Sequence, residues 1–140
     1  MRRVTRCLSL AAVLTMASCS GSNTSAPSTS NGTFTQTDLV VGTGATANTG
    51  NQVTVAYSGW LYDTTKTDGK GTLFDSNSSF PFTLGAGSVI AGWDQGVVGM
   101  RVGGQRRLII PPELAYGATG RSSIPPNATL LFDITLNAVQ

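Results

Sequence analysis

Histidine is absent from the 140 residues, and the two cysteines, Cys7 and Cys19, both fall within the first 19. No imidazole is therefore available as a general base, as the partner of a nucleophile, or as a metal ligand. A zinc site of four thiolates is excluded too, since the chain carries no thiol beyond Cys19. Charge is scarce, at 11% of residues. Three of the nine basic residues, Arg2, Arg3 and Arg6, crowd the N-terminus; without them six basic residues face seven acidic ones, a net of −1. Nucleic acid is accordingly not expected as a partner. The apolar run Leu8 to Ala17 extends for ten residues, whereas a helix across a bilayer core of about 30 Å needs about 20. With 40% apolar residues, this length supports one domain and not two.

What is present begins with an address. Met1 to Arg6 is basic, Leu8 to Ala17 is apolar, and the small pair Ala17-Ser18 precedes Cys19, the pattern of a secretory signal peptide. The junction resembles the lipobox of bacterial lipoproteins, in which the cysteine is lipidated and becomes the new N-terminus; Met16 stands where that motif usually has leucine. The expected organisation is a leader over residues 1–18, lipidation at Cys19, a tether over 19–32 and a domain over 33–140. Ordinary secretion with a free thiol is the alternative. The tether is mostly Ser, Asn, Thr, Gly and Ala, a composition unable to bury a core. The corresponding location is the bacterial cell envelope, facing outside the cytoplasm, with a lipid anchor as the sole membrane attachment. After cleavage one cysteine remains at most, so no intramolecular disulfide can form.

From Thr33 onward the pattern alternates with period two and is punctuated by glycine. Over Gln52 to Tyr62, Val53, Val55 and Tyr57 alternate with Thr54, Ala56 and Ser58. Leu130, Phe132, Ile134 and Leu136 define one apolar face of a strand over Thr129 to Val139. Gln105 to Ile110 is a third strand, stopped by Pro111-Pro112, and Pro81 marks Phe80 to Leu84 as an edge. A helix is expected over Val89 to Val98, where Val89, Ile90, Trp93 and Val97 recur at helical spacing before Gly99. Pro112 to Tyr116, closed by Gly117, reads as one further turn. The class is α+β, a mainly antiparallel sheet carrying one helix.

Gly42 to Ala47 matches G-x-G-x-x-A, but a dinucleotide fingerprint must open a helix, and here a turn and then the strand at Val53 follow. It reads as a glycine-rich loop. Asp63 to Gly71 is expected to be a solvated loop, and Asp94 to decorate the helix surface. Asp75 stands apart, between Phe74 and Ser76 in a stretch poor in charge. The rings are numerous for so small a domain, enough for some to line a concave apolar pocket.

Seven blocks in order carry a family resemblance: Val55 to Gly59, Leu73 to Ser76, Gly87 to Gly96, Gly99 to Gly103, Leu108 to Pro111, Leu114 to Gly120 and Ile124 to Asp133. They resemble the FKBP-type peptidyl-prolyl cis-trans isomerases over about Thr33 to Gln140. The resemblance implies a half-open antiparallel β-sheet wrapped around one short α-helix, and rotation of X–Pro bonds without any cofactor or metal. It implies a proline pocket floored by Trp93, with Tyr57, Phe74, Phe82, Val89, Ile90 and Phe132 as walls and Phe80 and Ile124 at the rim. Tyr116 would offer a hydroxyl to a substrate carbonyl and Ile90 its backbone N–H, while Asp75 would stand near the twisting amide. The implied catalytic set is Tyr57, Asp75, Tyr116 and Phe132. Proline-containing polypeptides are the implied partners, immunosuppressant macrolides the implied ligands, and a monomer the expected state. The alternative is a proline-binding, chaperone-like module on the same fold with little turnover. Three departures touch the rim: a longer polar stretch after Leu61, a shorter one between Asp75 and Phe80, and a loop Gly120 to Ile124 one residue short.

Overall fold

Alternating burial along Gln52–Tyr62, Gln105–Ile110 and Leu130–Val139 produces the strands that the period-two pattern predicts. The computed structural model describes residues 33–140; the leader, Cys19 and the tether lie outside the described residues. Five strands are formed: β1 (Thr35–Val40), β2 (Gln52–Tyr62), β3 (Lys70–Thr83), β4 (Gln105–Ile110) and β5 (Leu130–Val139). They make one sheet in the order β1-β4-β5-β2-β3, every pair antiparallel. A short helix, α1 (Ala91–Gly96), and a 3-10 turn at Pro112–Leu114 complete the elements.

One face of the sheet makes the core. Val53, Val55, Leu108, Ile110, Leu130, Phe132, Ile134 and Leu136 are buried there, with Trp93 and Val97 from the α1 segment packed on them. Two glycines let α1 lie close to β4: a Cβ at Gly92 would come within 2.5 Å of Ile110, and one at Gly96 within 2.5 Å of Leu108. Such a helix has poor intrinsic propensity and forms through tertiary packing. Its C-terminus is satisfied from the sheet, because the buried Arg106 guanidinium donates to the carbonyls of Gly96 at 2.8 Å and Val98 at 3.1 Å and pairs with Asp38 of β1.

Several expectations are corrected. The helix is shorter than Val89 to Val98, because Ile90 is extended (φ −60°, ψ 148°) as its N-cap and Val97 is its C-cap. The expected edge at Phe80 to Leu84 is the end of a strand reaching back to Lys70, and β3 is indeed an edge of the sheet. The solvated loop shrinks to a turn closed by Asp63 N–H on the Gly69 carbonyl at 2.9 Å. β1, with all six residues exposed, shows no alternation to read. Gly42 and Gly44 do lie in a loop, which packs against Arg101–Gly104 and opens no helix.

Candidate active site

The site lies where the N-terminus of α1 meets the inner face of β2, β3 and β5. Ile90 accepts hydrogen bonds from the amides of Trp93 at 2.9 Å and Asp94 at 3.3 Å, which turns the chain from an extended wall into the helix. Trp93, only 4% exposed, then forms the floor. Tyr57 stands edge-on to it at 4.8 Å and 76°, Phe132 at 5.2 Å and 86°, and Phe80 at 6.0 Å and 82°. Phe74 closes against Phe132 at 5.5 Å and 90°. Such edge-to-face pairs each contribute about 0.5–1.5 kcal/mol beyond area burial, so the rings hold one another in place. Gly59, paired with Phe132 across β2 and β5, makes room for this: a Cβ there would sit 2.7 Å from Phe132 and 2.8 Å from Phe74.

The cavity so enclosed has a volume of about 510 Å³. Ten of the residues expected at the site line it together: Tyr57, Phe74, Asp75, Phe80, Val89, Ile90, Trp93, Tyr116, Ile124 and Phe132. Phe82 does not. It is 6% exposed and packs behind the floor, 5.7 Å from Trp93 and 6.0 Å from Phe80, so its ring supports the walls from within the core. Phe80 and Phe82 share a face of β3, and Phe82, paired with the buried Val53, is the more deeply buried of the two. Cys19 lies outside the described residues.

Polar groups are few and aimed. The Tyr57 hydroxyl donates to Asp75 Oδ2 at 2.6 Å, and Asp75 Oδ1 accepts from the Ser76 amide at 2.9 Å. Burial, reinforced by the bond to Asp75 and its charge, pushes the Tyr57 hydroxyl well above its ordinary pKa. It stays protonated, and the pair is a fixed dipole at the wall. Tyr116 follows the 3-10 turn and is held by the Gly117 amide on the Pro112 carbonyl at 2.8 Å. Tyr116 and Ile90 both line the cavity, and among the described residues none of the loop and cap backbone hydrogen bonds uses the Ile90 N–H. Trp93 Nε1 is buried with no hydrogen-bond partner among the described residues.

Sequence reasoning missed four things. Asp94 is no surface decoration: its carboxylate accepts the amides of Gly85 at 2.9 Å and Gly87 at 3.2 Å, tying the loop that carries Gly87, Ser88 and Val89 into the cavity wall. The loop Gly120 to Ile124, expected at the rim, also puts Arg121, Ser122 and Ser123 among the lining residues, where none of them had been named. The hydroxyl that meets a carboxylate among these lining groups is that of Tyr57, and its raised pKa keeps it protonated. The arrangement can grip an apolar ring, bond two carbonyls and exclude water.

Comparison with known proteins agrees with this geometry. Residues 44–137 match the family profile described as FKBP-type peptidyl-prolyl cis-trans isomerase. An FK506-binding protein of Neisseria meningitidis serogroup A is 47% identical over 100 residues, covering 71% of this chain and 89% of that protein. FK506-binding protein 4 of Neurospora crassa is 50% identical over 102 residues, again 71% of this chain but only 20% of the relative's length. Among solved structures, a peptidyl-prolyl cis-trans isomerase of Pseudomonas syringae pv. tomato superimposes with a TM-score of 0.64 at 37% identity, over 76% of this chain and 75% of that one. The aromatic cavity, the sheet order and these similarities converge: this chain belongs to the FKBP-type peptidyl-prolyl cis-trans isomerase family.

Proposed function

We propose that this domain accelerates cis–trans rotation of X–Pro bonds in exported polypeptides, from a position tethered through Cys19 to the bacterial cell envelope. The observation that carries the catalytic reading is the Trp93 floor, enclosed by Tyr57, Phe74, Phe80 and Phe132 and open to a peptide at its mouth. Rotation about the prolyl imide faces a barrier of roughly 18–20 kcal/mol because the twisted bond loses amide resonance. The twisted imide has less charge separation than the planar one. An apolar, water-poor cavity therefore favours it relative to the ground state, and no bond needs to break. The proline ring rests on Trp93, while Tyr116 and the Ile90 amide hold flanking carbonyls in a bent pose. Asp75, already bonded to Tyr57, orients and polarises the wall and transfers no proton. Since about 1.4 kcal/mol corresponds to a decade in rate, a few kcal/mol of selective binding is enough for a hundredfold effect.

The test is relaxation of an Ala-Leu-Pro-Phe peptide after a cis-enriched start, followed with and without protein. Acceleration proportional to protein concentration is expected. Peptide binding with a rate equal to that in buffer would replace this reading with a proline-binding module of little turnover. The envelope assignment rests on the basic, apolar and small-residue order ahead of Cys19. Mass spectrometry of the mature N-terminus is expected to find a lipidated Cys19; an unmodified chain starting elsewhere removes the anchor. Macrolide ligands and a monomeric state belong to the same reading, and titration with FK506 against size measurement in solution checks both.

A further inference from the structure

We propose that Arg121 makes this pocket selective for prolyl segments with an acidic residue next to the proline. The inference rests on the isomerase reading above and adds a substrate class to it. Arg121 is the one cation among the residues that line the cavity, and Asp75 the one carboxylate. Their states differ. Both Asp75 oxygens are engaged, by the Tyr57 hydroxyl at 2.6 Å and the Ser76 amide at 2.9 Å. Arg121 has no carboxylate partner among the described residues. Its guanidinium instead rests 5.7 Å from the centre of the Tyr116 ring, beside the residue whose hydroxyl is offered to the substrate backbone.

The loop that presents it is built tightly. Arg121 and Ile124 form an isolated bridge, with the Arg121 amide on the Ile124 carbonyl at 2.9 Å and the Ile124 amide on the Arg121 carbonyl at 2.7 Å. Ser122 accordingly adopts the left-handed region at φ 49°, uncommon for a residue other than glycine. Ile124 is buried and anchors the turn to the core. A short, doubly bonded turn thus holds an unpaired cation at the mouth of a pocket that offers an apolar ring site within. A peptide seated with its proline on Trp93 passes this charge within a residue of the ring. A carboxylate there meets Arg121 directly, and a lysine there meets a like charge. Because Arg121 is exposed, the effect is modest, about twofold to fivefold in kcat/KM.

The experiment compares isosteric peptides by NMR exchange: Ala-Glu-Pro-Phe with Ala-Gln-Pro-Phe, and Ala-Leu-Pro-Glu with Ala-Leu-Pro-Gln. Taking each Glu-to-Gln ratio within one protein variant cancels any general loss of activity. The wild-type chain is expected to give a ratio of about two to five at one of the two positions, falling towards one in 1 M salt, where the screening length is about 3 Å. Arg121→Gln is expected to bring the ratio to one and Arg121→Glu to invert it. A ratio unchanged in Arg121→Gln, or insensitive to salt, overturns the proposal. Failure to accelerate any peptide, the glutamine ones included, removes the isomerase reading and the proposal with it.

Discussion

The same five strands present two unlike faces, most plainly where β2 and β5 run side by side. Towards α1 they offer Tyr57, Gly59 and Phe132, which build the cavity. On the other side Ser58, Trp60 and Asp133 meet an ion cluster: Arg107 bonds Asp133 at 2.7 and 2.9 Å, Lys70 bonds it at 2.8 Å, and the Lys70 ammonium lies 4.2 Å from the Trp60 ring centre. Neighbouring residues on one strand thus belong to different chemistries, because each successive side chain points the opposite way. The inner face carries little charge and encloses the cavity proposed as the active site. Among the described residues no helix packs on the outer face, which is covered by charge instead. Activity and stability should therefore fall together for changes to the inner-face residues that line the cavity, and separately for those packed behind it or on the outer face.

The largest expected effects lie on the inner face. Trp93→Ala or Phe132→Ala removes a buried ring at a cost of about 3–5 kcal/mol and lowers kcat/KM at least tenfold. Urea unfolding alongside peptide relaxation measures both, and a variant with intact turnover would break the comparison. Phe82→Leu sharpens it, since this ring supports the wall without lining the cavity: stability drops by about 1 kcal/mol while KM for a prolyl peptide hardly moves. On the outer face, Asp133→Asn gives up the charge that binds both Arg107 and Lys70. It costs about 1–2 kcal/mol and leaves kcat/KM within about twofold when measured well below the unfolding midpoint.

The parts of this molecule that were open to reading share one property: their signal is local. Val53, Val55, Leu108 and Leu130 to Leu136 announce β2, β4 and β5 by alternation alone. The cavity residues are placed by the family resemblance, nine of them inside its motif blocks and Phe80 between two blocks, and these ten meet in space. What stayed hidden depends on partners distant along the chain. β1 has six exposed residues, four of them polar, and exists because it pairs with β4 from Thr35↔Ile109 to Val40↔Gln105. The Ser- and Asn-rich half of β3 carries no strand pattern and is held in the sheet by β2 across several bulges. Helical spacing extended α1 over Val89 and Ile90, which line the cavity from a bend and from the extended N-cap instead. Asp94 and Arg106 look like ordinary surface charges until the amides and carbonyls they satisfy are brought to them by the fold.

A smaller effect tests how the wall is held. Asp94→Asn keeps an acceptor for one amide but loses the charge shared by Gly85 and Gly87. About 1 kcal/mol is lost, and the Gly87 amide should exchange faster with solvent while amides in β4 stay protected. Uniform acceleration of exchange across the domain would make Asp94 a general stabiliser, with no special hold on the cavity.

The faces also separate at opposite ends of the pH scale. For Asp133, burial pulls the pKa upward, but the hydrogen bonds and charges of Arg107 and Lys70 outweigh it and leave the carboxyl below its ordinary value. A lowered folded-state pKa gives stability that is full above the unfolded value of about 4 and is lost as pH falls through the folded one. For Tyr57 the sign is reversed. Burial first, then Asp75, raises its pKa, so its contribution is full below the unfolded value of about 10 and fades only as pH rises through the higher folded value. Urea midpoints measured across pH should thus show an acid-side decline that Asp133→Asn flattens and Tyr57→Phe does not. The Tyr57 ring resonances should stay constant through pH 10, where a free phenol ionises. An ionising Tyr57 at that pH would mean that water reaches the wall freely, and a cavity so wetted could not favour the less polar, twisted imide.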